Sequence, residues 1–259
     1  MGVLSMTKNK YDFIFGIGAA CSCTEVLRRA GLQYESLPFD WLFGSDFLGR
    51  ISIIVSEFER FIRYNDLEYQ YSDWSDVYYN RFNQITFNHD FPLHMSLRKS
   101  YASVNEKYNR RINRLMNKID TAGSILVVYL EVPCINDAEK ISDTQELVKG
   151  LEALKCKFLC KNINLLYISN KTGVCQKYRI NENIELWRLD YKSKNKNDPD
   201  YAVDIDFLVK KFNENIKLNL TKADYIKRIC DISRISGGVQ IVLIRNWESV
   251  LSLKLTFYN

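Results

Sequence analysis

Short continuous apolar runs alternate along this chain with stretches whose apolar residues recur every three or four positions. Tyr11-Asp-Phe-Ile-Phe-Gly-Ile-Gly18 reads as a buried strand entering a small-residue turn. Ser22 and Glu25 have the spacing of a capping box ahead of Val26, Leu27 and Ala30, and Gly31 suits the residue after a helix end. A strand–turn–helix unit is therefore expected, with Cys21 at the helix entrance. A proline-marked loop, Ser36-Leu-Pro-Phe-Asp-Trp41, follows it. From about Ser45 a second helix is predicted, with Phe47, Leu48, Ile51, Ile54, Val55, Phe58 and Phe61 in helical period. Residues 65–98 are aromatic and polar and read as an irregular insertion of short strands around Asn88-His89-Asp90.

Beyond residue 100 the alternation becomes regular. A helix over about 103–119 turns Val104, Tyr108, Ile112, Leu115 and Ile119 inward, and the near-continuous apolar run Ser124-Ile-Leu-Val-Val-Tyr-Leu130 is a strand. Ser142 and Gln145 have capping-box spacing for a helix through about Lys161. Strands are expected at 164–169 and 184–189, a polar loop at 192–199, helices near 204–215 and 222–234, and strands at 239–244 and 252–258. Helices alternating with apolar strands imply βαβ units. The expected fold is a single α/β domain over 1–259, with a mainly parallel central sheet and helices on both faces in a Rossmann-like three-layer order.

Composition narrows the function classes. Thirty-six basic against 31 acidic residues leave a net charge of +5, a mild bias rather than a nucleic-acid-binding stripe. No apolar run approaches the roughly 18 residues of a membrane-spanning helix. Seven cysteines, an odd number at irregular spacing, suit a reducing, cytoplasmic setting. Cys156 and Cys160, one helical turn apart, read as a core stripe and not a metal pair. Gly16-x-Gly18-x-x-Cys21 lacks the third glycine of a dinucleotide fingerprint, and no Walker loop occurs. Neither a metal nor a cofactor is expected.

The chemistry this pattern offers centres on Cys21. A helix entrance collects backbone N–H groups at a positive helix end, which favours a thiolate and can cradle an oxyanion or phosphate. A cysteine nucleophile needs a base, and the chain holds two histidines, His89 and His94. Asp40, Asp90 and Glu131 are candidates for the acid that orients His89. Gly18, Ala20 and Ser22 would line the anion cradle. Arg110, Arg111 and Arg114 share one helix region from which guanidinium groups could reach an anionic substrate, though a solvated basic face is the plainer reading.

The segments Gly16-Ile-Gly-Ala-Ala-Cys-Ser-Cys-Thr-Glu-Val-Leu-Arg28, Ser36-Leu-Pro-Phe-Asp-Trp41, Phe87-Asn-His-Asp-Phe91 and Tyr108-Asn-Arg-Arg-Ile-Asn-Arg-Leu115 resemble a bacterial family of unknown function described as papain-like cysteine peptidases. The resemblance covers about the first half of the chain and weakens through 124–130. It implies Cys21 as nucleophile and His89 as base, and a papain-like α+β fold as the alternative architecture. Two departures stand out: the turn begins Gly-Ile-Gly where the family more often shows Ser-Leu-Gly, and Cys23 adds a second thiol. Family members also occur beside glycosyltransferases of surface polysaccharide synthesis, which implies a transferase as the alternative. The expected activity is thus a cysteine-dependent hydrolase or acyl-type transferase on a small-molecule, glycan or peptide substrate. The alternative is a non-covalent transferase or binding protein for an anionic sugar or nucleotide.

Overall fold

The computed structural model describes residues 9–71, 76–132, 144–159, 161–199 and 202–219. The chain falls into two compact units, Met1–Leu218 and Asn219–Asn259. The helix expected at 222–234 and the strands at 239–244 and 252–258 lie outside the described residues, as does the Ser142 cap.

The central sheet contains β2 (Phe13–Gly16), β7 (Ser124–Leu130), β8 (Asn162–Asn170), β10 (Ile184–Leu189) and β9 (Cys175–Asn181), in that spatial order. β2, β7, β8 and β10 run parallel, and β9 joins β10 antiparallel. The sheet is therefore mixed, and a purely parallel core does not hold. β9 escaped the sequence reading because Cys-Gln-Lys-Tyr-Arg-Ile-Asn is exposed almost throughout, so no apolar period marks it. A short parallel pair, β1 (Asn9–Tyr11) with β11 (Ile216–Leu218), stands apart.

Strand alternation assigns the helices to two faces. Phe13, Phe15, Ile125, Val127, Tyr129, Leu165 and Tyr167 pack against α2 (Phe47–Val55), α3 (Leu97–Thr121) and α4 (Thr144–Lys157). Ile14, Leu126, Val128, Leu166 and Ile168 pack against α1 (Cys21–Arg29) and α5 (Ile205–Asn215). Helices thus cover both sides of the sheet, as the alternating pattern implied.

The segment between α1 and α3, which includes the stretch 65–98 read as an irregular insertion, builds a second sheet, wholly antiparallel, in the order β3 (Leu42–Gly44), β6 (Ile85–Phe91), β5 (Asp76–Asn80), β4 (Leu67–Gln70). Phe58 and Phe61 are buried but not helical: α2 stops at Val55, and Glu57, Phe58 and Arg60 adopt positive φ in successive turns. Their rings join Phe39, Phe87 and Tyr108 in an edge-to-face cluster between this sheet and α3. Burial demanded those phenylalanines inside, and tertiary contact rather than helical period put them there.

Candidate active site

Two hydrogen bonds carry the β2 ladder beyond its last strand residue: Ile17 N–H to Val128 O at 2.8 Å and Ala19 N–H to Leu130 O at 3.0 Å. The chain then leaves the sheet through extended Ala20 and enters α1 with Cys21 as its first residue. The capping box does not form. Ala20 is the cap residue and makes no side-chain hydrogen bond to the helix, and Ser22 Oγ is buried with no partner among the described residues.

The two glycines follow from how closely α1 approaches the sheet. A Cβ on Gly18 would lie 2.4 Å from Cys23 Cβ, and one on Gly16 2.8 Å from Cys23 Sγ. Cys23 is 2% exposed, its thiol pushed up to about 12 by burial, and its Sγ faces Val128 O at 3.7 Å. The Gly-Ile-Gly turn and the second thiol are therefore one packing unit, helix against strand. Cys23 is a filler with no thiolate at neutral pH.

Cys21 is half-buried. Burial pushes its thiol above the ordinary value, its own N–H and that of Ser22 act in the opposite direction, and the Glu25 carboxylate raises it further. The expectation that a helix entrance would lower this thiol is overturned, because desolvation outweighs two amides at the first turn.

Behind the turn lies a residue the sequence reading missed. Arg50, on α2, is fully buried, and its Nε and Nη2 donate to carbonyls of Gly44 (3.1 and 2.7 Å), Ser45 (3.4 Å), Leu42 (3.1 Å) and Ala19 (3.4 Å). Burial draws it down to about 10, so it stays cationic at neutral pH, and Nη1 has no partner among the described residues. Arg50 ties the Cys21 turn to β3 and the residue after it through four carbonyls. Its signal in the sequence was one arginine inside the apolar stretch Phe47–Val55.

The loop residues divide by role. Asp40 is fully buried and accepts from Thr24 Oγ1 (3.2 Å), Gln33 Nε2 (2.8 Å), Leu37 N–H (3.0 Å) and Arg28 Nη2 (3.0 Å). Both its oxygens are thereby engaged in fixing the 33–40 loop to α1. Trp41 lies between Arg28, whose guanidinium carbon is 5.9 Å from its ring centroid, and His89, whose ring meets it edge-on at 6.3 Å. Cys21, Thr24 and Arg28 fall on one face of α1, the face that meets this loop. His89 itself is exposed on β6, where the ladder to β5 is irregular: Phe91 pairs with Asp76 but Phe87 with Tyr78. That bulge turns His89 outward and Asp90 inward. Asp90 accepts from Tyr108 Oη at 2.7 Å and pairs with Lys107 at 2.6 Å, so it anchors α3. Among the described residues no hydrogen bond joins Cys21 to His89, or His89 to Asp40, Asp90 or Glu131. His94 is exposed in the turn after β6.

The arginines also separate. Arg110 is exposed and pairs with Glu106 one turn earlier. Arg114 donates to Ser36 O at 2.5 Å and faces Glu35. Arg111 packs 5.3 Å from the Tyr108 ring, and its Nη1 is buried without a partner among the described residues. Glu131 follows β7 and accepts a hydrogen bond from Tyr167 Oη; burial pushes its carboxyl up from 4.5 to about 7. Cys156 is exposed, not part of a core stripe, and Cys160 lies outside the described residues. No group of three His, Cys, Asp or Glu residues that could hold a metal occurs among the described residues.

The family described as "Putative papain-like cysteine peptidase" matches residues 12–171. The chain belongs to this family. The match runs from β2 through β8, beyond the first half that the motifs suggested. An uncharacterized protein of Acanthamoeba polyphaga mimivirus is 28% identical over 177 residues, spanning 61% of this chain and 76% of the relative. That relative is viral, so the bacterial character expected of the family is not shown by it. No solved structure matches the chain.

Proposed function

We propose that this papain-like peptidase family member is a cysteine-dependent hydrolase or acyl-type transferase with Cys21 as nucleophile and His89 as base. The observation that carries the proposal is the place of Cys21. It opens α1 at the C-terminal edge of the parallel strands β2 and β7, and the first described helix after each strand lies on an opposite face of the sheet: α1 on one, α4 on the other. A crevice opens at such a point in an open α/β sheet, and ligands bind there.

In this reading Cys21 Sγ attacks a substrate carbonyl carbon while its proton passes to His89. The N–H groups of Cys21 and Ser22 hold the developing oxyanion, and His89 returns the proton to the leaving group. Water or an acceptor then releases the acyl group. Because the resting thiol is pushed up, proton removal accompanies attack and is not completed beforehand. Arg50 positions the turn. Of Arg110, Arg111 and Arg114, Arg111 is the one with a buried nitrogen that has no partner among the described residues, and it could serve an anionic substrate. The scaffold is read as Rossmann-like and the setting as cytoplasmic.

One observation favours the second reading, a non-covalent transferase or binding protein for an anion: burial raises the Cys21 thiol, and no charged partner in contact among the described residues draws it down. The two separate by mass spectrometry of the protein quenched during turnover of an activated ester. An acyl adduct on Cys21, absent from Cys21→Ser and His89→Ala and retained in His94→Ala, supports covalent catalysis. Turnover by Cys21→Ser within about a factor of ten of the parent refutes it, since members of one catalytic unit each cost nearly the whole effect.

A further inference from the structure

The register of the central sheet sets three polar side chains beside one another in a place the Cys21 chemistry does not use. Tyr129 of β7 pairs with Tyr167 of β8, and their rings stack at 5.0 Å, so both point to the α2–α4 face. Two residues further along, on that same face, come Glu131 and Ser169. Arg188 of β10 pairs with Ser169. The row Glu131, Ser169, Arg188 thus crosses the C-terminal ends of three parallel strands, above a floor formed by Tyr129, Tyr167 and Leu186. Ala19 of the catalytic turn, bonded to Leu130 O, stands at the near end of this row.

Two polar atoms of this row lack hydrogen-bond partners among the described residues. Ser169 is 2% exposed, yet its Oγ has no hydrogen-bond partner among the described residues, and the same is true of buried Arg188 Nε. The Arg188 guanidinium lies over the Tyr178 ring at 5.5 Å and forms no ion pair with Glu131. Tyr191 Oη, from the other face, already occupies the Glu131 and Ile168 carbonyls at 2.9 and 3.3 Å, so the backbone there does not satisfy Ser169. Buried polar groups are seldom left so.

We propose that Glu131, Ser169 and Arg188 form a binding row for a small hydroxylated anion, of the size of a sugar acid or sugar phosphate. Neighbouring strands are about 4.8 Å apart, so the row spans roughly 10 Å, about the length of one substituted ring. Arg188 matches the carboxylate or phosphate in a planar fork. Ser169 and Glu131 match hydroxyls, a carboxyl that titrates near neutrality being able to accept or donate. The inference deepens the Cys21 reading by naming what its crevice holds, and it stands or falls separately, because binding requires no reactive thiol.

Calorimetric titration of the full-length Cys21→Ala protein with glucuronate, glucose 6-phosphate, glucose and inorganic phosphate tests it. At least one charged sugar binds about tenfold or more tightly than glucose or phosphate alone, and which one tells whether carboxylate or phosphate is preferred. Arg188→Gln weakens that binding about tenfold and Arg188→Lys less, while Ser169→Ala weakens every hydroxylated ligand and Arg81→Gln, at an exposed arginine paired with Glu68, changes nothing. Each variant is first matched to the parent in its ligand-free melting temperature; should Arg188→Gln unfold, Ser169→Ala and Arg188→Lys carry the comparison. No preference for the charged sugars, or equal binding by the Arg188 and Ser169 variants, overturns the proposal. Binding that persists while no Cys21 adduct ever forms removes the nucleophile and leaves the row.

Discussion

Replacing Glu131 by glutamine is expected to stabilise the protein above neutral pH and to flatten its pH dependence. The carboxyl sits past the end of β7, enclosed enough that burial lifts it from 4.5 to about 7 against the opposing Tyr167 hydrogen bond and the Arg188 charge. A carboxyl whose folded value is raised favours the folded state most when protonated, below its unfolded value near 4.5. That contribution declines as pH rises and is gone once pH passes about 7. The shift corresponds to ~3 kcal/mol between the limbs, at 1.36 kcal/mol per pH unit. Glutamine keeps the size and an acceptor for Tyr167 but cannot ionise, so its curve lacks this fall. The assay is urea denaturation of parent and Glu131→Gln at pH 5 and pH 8. The expected outcome is near-equality at pH 5 and a variant more stable at pH 8 by ~2–3 kcal/mol, or roughly 2–4 °C per kcal/mol in a melting experiment. Parallel curves at the two pH values would show that Glu131 ionises like an exposed carboxylate, and the burial argument would fail.

Three further outcomes are expected. Asp40→Ala, which strands Thr24, Gln33, the Leu37 amide and Arg28 together, should cost about 2–4 kcal/mol in denaturant, discounted for the partial exposure of Arg28, and a loss below 1 kcal/mol would deny Asp40 its anchoring role. Gly18→Ala, whose methyl would meet Cys23 Cβ at 2.4 Å, should destabilise by about 1–3 kcal/mol, and Cys23→Ala should rescue part of that loss; absence of rescue would separate the glycine from the thiol. Limiting alkylation at pH 7 should mark exposed Cys156 and Cys175 ahead of Cys21 and leave Cys23 unmodified until the protein unfolds, so early labelling of Cys23 in the native protein would contradict its burial.

Local pattern sufficed wherever one face of an element meets the core. β7 and the placement of Cys21 at the head of α1 follow from apolar runs and small turn residues that any fold would have to honour. The polar residues behave differently, because their roles depend on neighbours distant in the chain. Asp40 and Asp90 read as partners for a histidine, but α1 and α3 supply stronger partners and turn them into anchors. Arg50 read as one charge in an apolar helix, whereas the packing of α2 beneath the turn makes it a strut. The motif hid the relation between Gly18 and Cys23, a contact that exists only once helix and strand are pressed together. Likewise, the thiol of Cys21 was expected to fall because a helix end attracts negative charge, and it rises because the surrounding core removes water. Sequence alone determined the apolar faces of the regular strands and helices and the small-residue turn after β2. Only the tertiary structure decided how far each buried charge is desolvated and which partner it meets, since both depend on distances between strands that lie far apart in the chain.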